Sequence, residues 1–131
     1  LIRDLGLEDN VILFDRFIRN EEVALFFSAA DLVVHPYSSA TQSGVTQIAY
    51  HFGIPMLVTD VGGLSEIVAN GKCGYVVRPE PEDVATAIFD YFSNNRESQF
   101  TEGVNQEKSK FTWNNLVNSI TEVYKTINSK L

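Results

Sequence analysis

The sequence predicts an α/β fold, an open parallel sheet with helices on both faces. Short apolar runs such as Leu32-Val33-Val34-His35 and Met56-Leu57-Val58-Thr59 alternate with stretches whose apolar residues recur at helical spacing. Alternation of this kind brings strands together in parallel through helical crossovers. Pro36, Gly53 and Pro55 punctuate the boundaries where a strand or helix must stop. With 131 residues, 44% of them apolar, the chain has the size of one domain around one core.

Taken in order, Leu1 to Leu5 reads as the tail of a helix and Val11-Ile12-Leu13-Phe14 as a strand. Asn20 is placed as the cap of a helix from Glu21 to Ala30. Glu21 and Glu22 suit its first turn, and Val23, Phe26, Phe27 and Ala30 form its buried face. The strand Leu32 to His35 is ended by Pro36. In the next helix Val45, Ile48, Ala49 and Phe52 fall at i, i+3, i+4 and i+7, Gly53 stands where a C-cap glycine belongs, and Pro55 forbids continuation. A second strand runs to Thr59, and a short helix from Leu64 to Asn70 follows. Tyr75-Val76-Val77 is a last strand, and Pro81 opens a helix striped by Val84, Ile88, Tyr91 and Phe92. Asn94 to Lys110 is polar and weakly periodic, so it reads as the least ordered segment. Thr112 caps a final helix in which Trp113, Leu116, Val117, Ile120, Val123, Tyr124 and Ile127 repeat at helical spacing. No repeat, linker or low-complexity tract interrupts the pattern.

Ten Lys and Arg face 17 acids, a net charge of −7, which disfavours nucleic acid and anionic lipid as partners. No apolar run approaches the roughly 18 residues of a membrane span. The single Cys73, between Lys72 and Gly74, has no internal disulfide partner and reads as a turn residue.

Ligands of open parallel sheets sit outside the carboxyl ends of the strands. That rule gathers Asp15 to Ile18, His35 to Gly44, Thr59 to Glu66 and Arg78 to Glu80 along one edge. Within it, Thr41-Gln42-Ser43-Gly44-Val45 leads into a helix, whose first N–H groups and positive dipole end suit a phosphate. Gly44 is expected to permit close approach and an unusual backbone conformation. The alternative for this stretch is an ordinary strand-to-helix connection with no ligand. His35 either donates to phosphate or is a satisfied core residue, His51 reads as surface, and Arg78 pairs with Glu80 or Glu82. Glu66 either meets a sugar hydroxyl or favours the first turn of a helix from Ser65.

Three strings seen together carry a resemblance: Asp31-Leu32-Val33-Val34-His35-Pro36-Tyr37, then Ser43-Gly44-Val45, then Gly53-Ile54-Pro55 through Val61-Gly62-Gly63-Leu64-Ser65-Glu66. The chain resembles the carboxy-terminal nucleotide-sugar-binding domain of the group 1 retaining glycosyltransferases, built on two Rossmann-like domains in the GT-B architecture. The likeness covers nearly the whole chain, taking in Leu5-Gly6-Leu7-Glu8-Asp9-Asn10-Val11, Gly71 to Val77, and Phe111-Thr112-Trp113. It implies a donor-binding half that grips a nucleotide-diphosphate sugar without metal or other cofactor, in polysaccharide or cell-envelope synthesis. It also implies a cytoplasmic location, with the inner face of the membrane as one place for the full-length protein. Gly62 and Gly63 would belong to the site, Phe17 and Ile18 would flank the base, and Gln47 would hold the ribose. Phe17 alternatively covers the helix from Glu21, and Gln47 is alternatively a solvated surface residue.

The departures are as informative. The family's two glutamates fall on Ala40 and Ile48 here, and the loop resembles a variant with a Thr-Gln-Ser-Gly-Val string instead. The strand with the family's Arg and following Lys is absent, together with the next strand, so no catalytic residue is assigned. The chain is expected to be a partial domain that lacks an amino-terminal acceptor domain and is inactive alone. A non-catalytic nucleotide- or phosphate-binding module is the other reading. The missing strands would lie between the Val11 and Leu32 strands. Either those two then pair directly in a contracted four-stranded sheet, or another chain or segment supplies the middle, with self-association as a consequence.

Overall fold

The computed structural model describes residues 1–128. Its elements are α1 (Asn20–Ser28), β1 (Val33–His35), α2 (Gly44–Phe52), β2 (Met56–Thr59), α3 (Leu64–Ile67), β3 (Gly74–Val77), α4 (Pro81–Ser93), α5 (Glu97–Glu107), a 3-10 turn (Lys108–Phe111) and α6 (Trp113–Asn128). The strands form a parallel sheet in the order β1-β2-β3. Val33 pairs with Met56, His35 with Val58, and Leu57 with Tyr75. The α/β class with helices on both faces is therefore as expected.

Alternation along the strands sorts the two faces. Met56 and Val58 pack with Ala49 and Tyr50 of α2, Leu64 of α3 and Val104 of α5 in the main core. Tyr75 points the other way, and its hydroxyl donates to Asp90 on α4. The central strand β2 is buried along its whole length, as a doubly covered parallel strand must be. Gly53 ends α2 at φ 76°, and its N–H donates to the carbonyls of Ala49 and Tyr50. Pro81 opens α4 at the first helical position, and the Thr112 hydroxyl accepts from the Asn115 N–H at the start of α6.

Several expectations are corrected. Val11 to Phe14 forms no strand, and Ile12 and Leu13 are largely exposed. The contracted four-stranded sheet does not form: β1 has a strand partner on one edge only among the described residues. A four-residue run makes a strand only where a neighbour offers a ladder, and none stands beside this one. The first residues make a single turn, closed by the Leu5 N–H on the Leu1 carbonyl and ended by Gly6 at φ 64°. Helix α1 starts one residue early, so Asn20 lies inside it, and the Glu22 carboxylate reaches back to the Arg19 N–H at 3.2 Å. In α2 the buried residues are Thr46, Ala49 and Tyr50. Val45, Ile48 and Phe52 are half-buried on the flank toward α1, where Phe52 stacks on Phe27. Helix α3 ends at Ile67, and Phe92 on α4 is exposed.

The segment expected to be least ordered forms α5. Phe100, Gly103, Val104 and Glu107 are its buried residues, at helical spacing. Two of them are not apolar, which hid the period. Gly103 lies against the Lys72 backbone, and Glu107 is covered while accepting from Lys72 and Lys110. Cys73 lies in the turn before β3, as expected, and is also fully buried in the core beside Tyr50, where burial pushes its thiol pKa up.

Candidate functional site: the amino end of α2

The connection from β1 to α2 folds into a loop held at two points. The buried Thr59 hydroxyl, at the end of β2, donates to the Tyr37 carbonyl at 2.6 Å. The Gly63 N–H donates to the Thr41 carbonyl at 3.0 Å. The Gly62-Gly63 turn thereby meets the Thr41-Gln42 loop, which brings two sequence-distant parts of the expected site together. Gly62 adopts φ 55°, and the Ala40 carbonyl oxygen stands 1.6 Å from where its Cβ would be. This pair of glycines makes the loop's seat.

At the head of α2 the Thr46 hydroxyl turns back to the Ser43 carbonyl at 2.6 Å, and the Thr46 N–H points to the same oxygen. The Ser43 side chain makes no capping bond. Among the described residues nothing accepts from the N–H groups of Ser43, Gly44 or Val45. Three donors at the positive end of a nine-residue helix are thus unclaimed by protein. Gly44 corrects the expectation in one respect. It is the first helical residue, its φ is not positive, and a Cβ there would meet nothing within 4 Å. Neither the backbone nor the packing demands glycine, so its lack of a side chain matters only to what approaches from outside.

The other expected residues are distributed around this point. Gln42 and Thr41 are exposed on the loop, and Val45 is half-buried behind it. Gln47 is exposed and lines a groove of about 380 Å³ between α1 and α2 with Asn20, Val23, Ile48 and His51. It also borders a second groove of about 360 Å³ beside Phe111, Thr112 and Trp113. Phe17 is 83% exposed and does not cover α1; Phe14 takes that position, edge-on to Phe26. Ile18 is half-buried at the entry to α1. Glu66 is exposed in the first turn of α3, which begins at Leu64.

The cations of this edge are already engaged. Arg16 forms a two-pronged pair with Glu22 at 2.9 and 2.6 Å, which holds the Glu22 carboxyl at a pKa of about 2. Arg78 pairs with Asp83 at 2.6 and 3.1 Å, a partner other than the expected Glu80 or Glu82. Among the described residues no cluster of His, Cys, Asp and Glu is arranged to hold a metal. His35 departs from the expectation of a satisfied core residue. It is 6% exposed at the end of β1, and its Nδ1 is buried without a hydrogen-bond partner.

Comparisons with known proteins bear on this arrangement. The family model described as Glycosyl transferases group 1 matches residues 1–94. D-inositol 3-phosphate glycosyltransferase 2 of Catenulispora acidiphila is 31% identical over 126 residues, covering 95% of this chain and 29% of that protein. A 41.2 kDa protein of the cps region of Klebsiella pneumoniae is 24% identical, covering 91% of this chain and 33% of its own length. Among solved structures, Anabaena HepE in complex with UDP superposes with a TM-score of 0.80 at 22% identity, over 95% of this chain and 35% of that one. Sucrose-phosphate synthase of Thermosynechococcus elongatus gives 0.78 at 22% identity, over 99% and 33%. The chain spans about a third of the length of these relatives. A strand-loop-helix that leaves three donors open at the carboxyl edge of a parallel sheet, in a chain matched over most of its length by one family model, places it plainly: the chain belongs to the group 1 glycosyltransferases.

Proposed function

We propose that this chain is the donor-binding part of a longer glycosyltransferase, and that the diphosphate of a nucleotide sugar sits at the amino end of α2. The observation that carries this reading is the set of unclaimed N–H groups of Ser43, Gly44 and Val45, with open space over Gly44. Each backbone donor aimed at an anion makes a charge-assisted bond, and the helix dipole adds about 0.3–1 kcal/mol at an exposed site. The groove beside Gln47 and Asn20 lies one helical turn away and suits the ribose, with Phe17 and Ile18 toward the base. Gln47 offers a neutral amide where the family resemblance implies an acid. The reading gains support from HepE, a neighbour in fold solved with UDP and with UDP-glucose.

Transfer needs the leaving diphosphate neutralised, a contribution of several kcal/mol to the barrier. Arg16 and Arg78 are paired within this chain, so the neutralising cations and the acceptor site belong to other parts of the protein. Metal independence, a cytoplasmic place and a role in polysaccharide or cell-envelope synthesis complete the proposal. Among the described residues no helix is long and apolar enough to cross a membrane.

The test is Gly44→Val in the whole enzyme. Calorimetric titration with UDP is expected to show binding at least about tenfold weaker, the equivalent of one good hydrogen bond to a charge. The thermal midpoint should be unchanged, since nothing lies within 4 Å of the added Cβ. Unchanged affinity in a folded variant moves the anion away from this turn.

A further inference from the structure

We infer that the imidazole of His35 belongs to the anion site, as a donor kept for a phosphoryl oxygen held at the amino end of α2. The inference rests on the placement of the diphosphate proposed above and decides between the two roles that the sequence leaves open for His35.

His35 is the last residue of β1, at the carboxyl edge of the sheet. Alternation places it on the same face as Val33, which packs against the core formed by Ala49 and Tyr50 of α2, and its pair in the ladder is Val58 of that core. The crossover into α2 starts from this edge, so the helix presents its first turn to the end of β1. There the His35 ring is nine-tenths buried, and Nδ1 has no partner. An orphaned buried polar atom forfeits its hydration without a bond in return, and such atoms in folded proteins call for an explanation. A leucine would fill the same space at no such cost. The loop above it, Pro36 to Ser43, is tied by the Thr59 hydroxyl on the Tyr37 carbonyl and the Gly63 N–H on the Thr41 carbonyl, with Ser38 and Ser39 between those ties exposed. That exposed stretch lies outside the sheet, so access to the ring from the anion site would leave the ladder of β1 intact.

The same geometry gives binding a pH signature. Burial holds the His35 pKa below its ordinary value, and no charged group contributes to that shift. Tyr37 is in contact with the ring at 5.5 Å between centroids and Val58 is its ladder pair on β2, while Val45 and Thr46 at the head of α2 carry no charge. The acids Asp60, after β2, and Glu66, on α3, are exposed. A bound phosphate adds a negative partner and raises the pKa. Binding therefore takes up a proton, and affinity rises as pH falls toward the free-state value.

The experiment titrates the whole enzyme with inorganic pyrophosphate by calorimetry at pH of about 5.5 and about 8, on either side of the ordinary histidine value. Wild type, His35→Leu, His35→Gln and Gly44→Val are compared. Pyrophosphate's own titration is common to all four, so the difference between curves is the reading. The expected result is that wild type gains at least about fivefold more affinity at the lower pH than His35→Leu does. His35→Gln, which keeps a donor that does not titrate, should bind at an intermediate strength without that extra gain. His35→Leu should melt at or above the wild-type temperature, because it removes an unsatisfied polar atom. If Gly44→Val weakens binding while both His35 variants follow the wild-type curve, the turn holds the anion and the role of His35 is overturned. If wild type binds no pyrophosphate at either pH, or Gly44→Val binds as wild type does, the turn itself is not the site and this inference falls with it.

Discussion

The Ala40 carbonyl oxygen occupies the space in which a side chain on Gly62 would begin, 1.6 Å from the position of its Cβ. Two loops that approach the sheet edge from different strands are thus in backbone contact, and that contact shapes the entry to α2. Gly62→Ala has to relieve the overlap and also adopt φ 55° with a Cβ, so we expect a loss of about 2–4 kcal/mol. Denaturant unfolding checks the loss. UDP binding should weaken in the same variant because the seat of the Thr41-Gln42 loop moves, in contrast to Gly44→Val, which should weaken binding with no stability change.

Glu107 ties α5 to the turn before β3, accepting from Lys110 and from Lys72 at 2.8 Å. The hydrogen bonds of these lysines, Lys110 first, hold the Glu107 carboxyl below the usual carboxylate range. A lowered folded-state pKa gives stability that is present above the unfolded value and is lost as pH falls through the folded one. Thermal midpoints measured downward from pH 5 should therefore fall more steeply in wild type than in Glu107→Gln. Parallel curves would show that the pair contributes nothing to acid sensitivity.

Gly103, one turn before Glu107, sits with its Cβ position 1.9 Å from the Lys72 carbonyl oxygen. Gly103→Ala should cost about 1–3 kcal/mol despite alanine's better helix propensity. A stabilised variant in chemical denaturation would mean that α5 is free to shift away from Lys72.

Cys73 is fully buried and its thiol pKa is raised by burial. In the native protein it should react with a thiol reagent no faster than the chain opens, and in denaturant at the rate of an ordinary thiol. Fast labelling of the native chain at neutral pH would contradict the packing of Tyr50 over it.

Trp113, Leu116, Val117, Ile120, Val123, Tyr124 and Ile127 are each at least half-exposed on α6, and Ile12 and Leu13 are largely bare at the other end of the chain. The isolated 131-residue chain should self-associate through this surface and should turn over no nucleotide sugar. Sedimentation equilibrium should report species larger than a monomer, reduced toward a monomer by Ile120→Glu with Val123→Glu. A wild-type monomer with a cooperative melt, or clear transferase activity from the chain alone, would refute the corresponding expectation.

Local chemistry determined much of this protein from the sequence alone. Pro36, Gly53, Pro55 and Pro81 set element boundaries because φ restriction, the missing N–H and the left-handed conformation act within a residue or two. Apolar runs and periods gave the three parallel strands and most helices, and the loop strings pointed to the family and to the turn at Ser43 and Gly44. What the tertiary structure decided depended on partners distant in sequence. Val11 to Phe14 has the composition of a strand but no neighbour to pair with. Gly103 and Glu107 have buried roles only because Lys72 lies against them, and without that the period of α5 is invisible. Arg78, expected to pair with Glu80 or Glu82, is claimed instead by Asp83, and Arg16 is held by Glu22. Gly62 and Gly63 became the seat of a loop from another strand, and His35, left open in the sequence between a phosphate donor and a satisfied core residue, proved to be buried with Nδ1 unpaired. Propensity travels along the chain, whereas burial and hydrogen-bond satisfaction are settled between segments, and the candidate site is made almost wholly of the second kind.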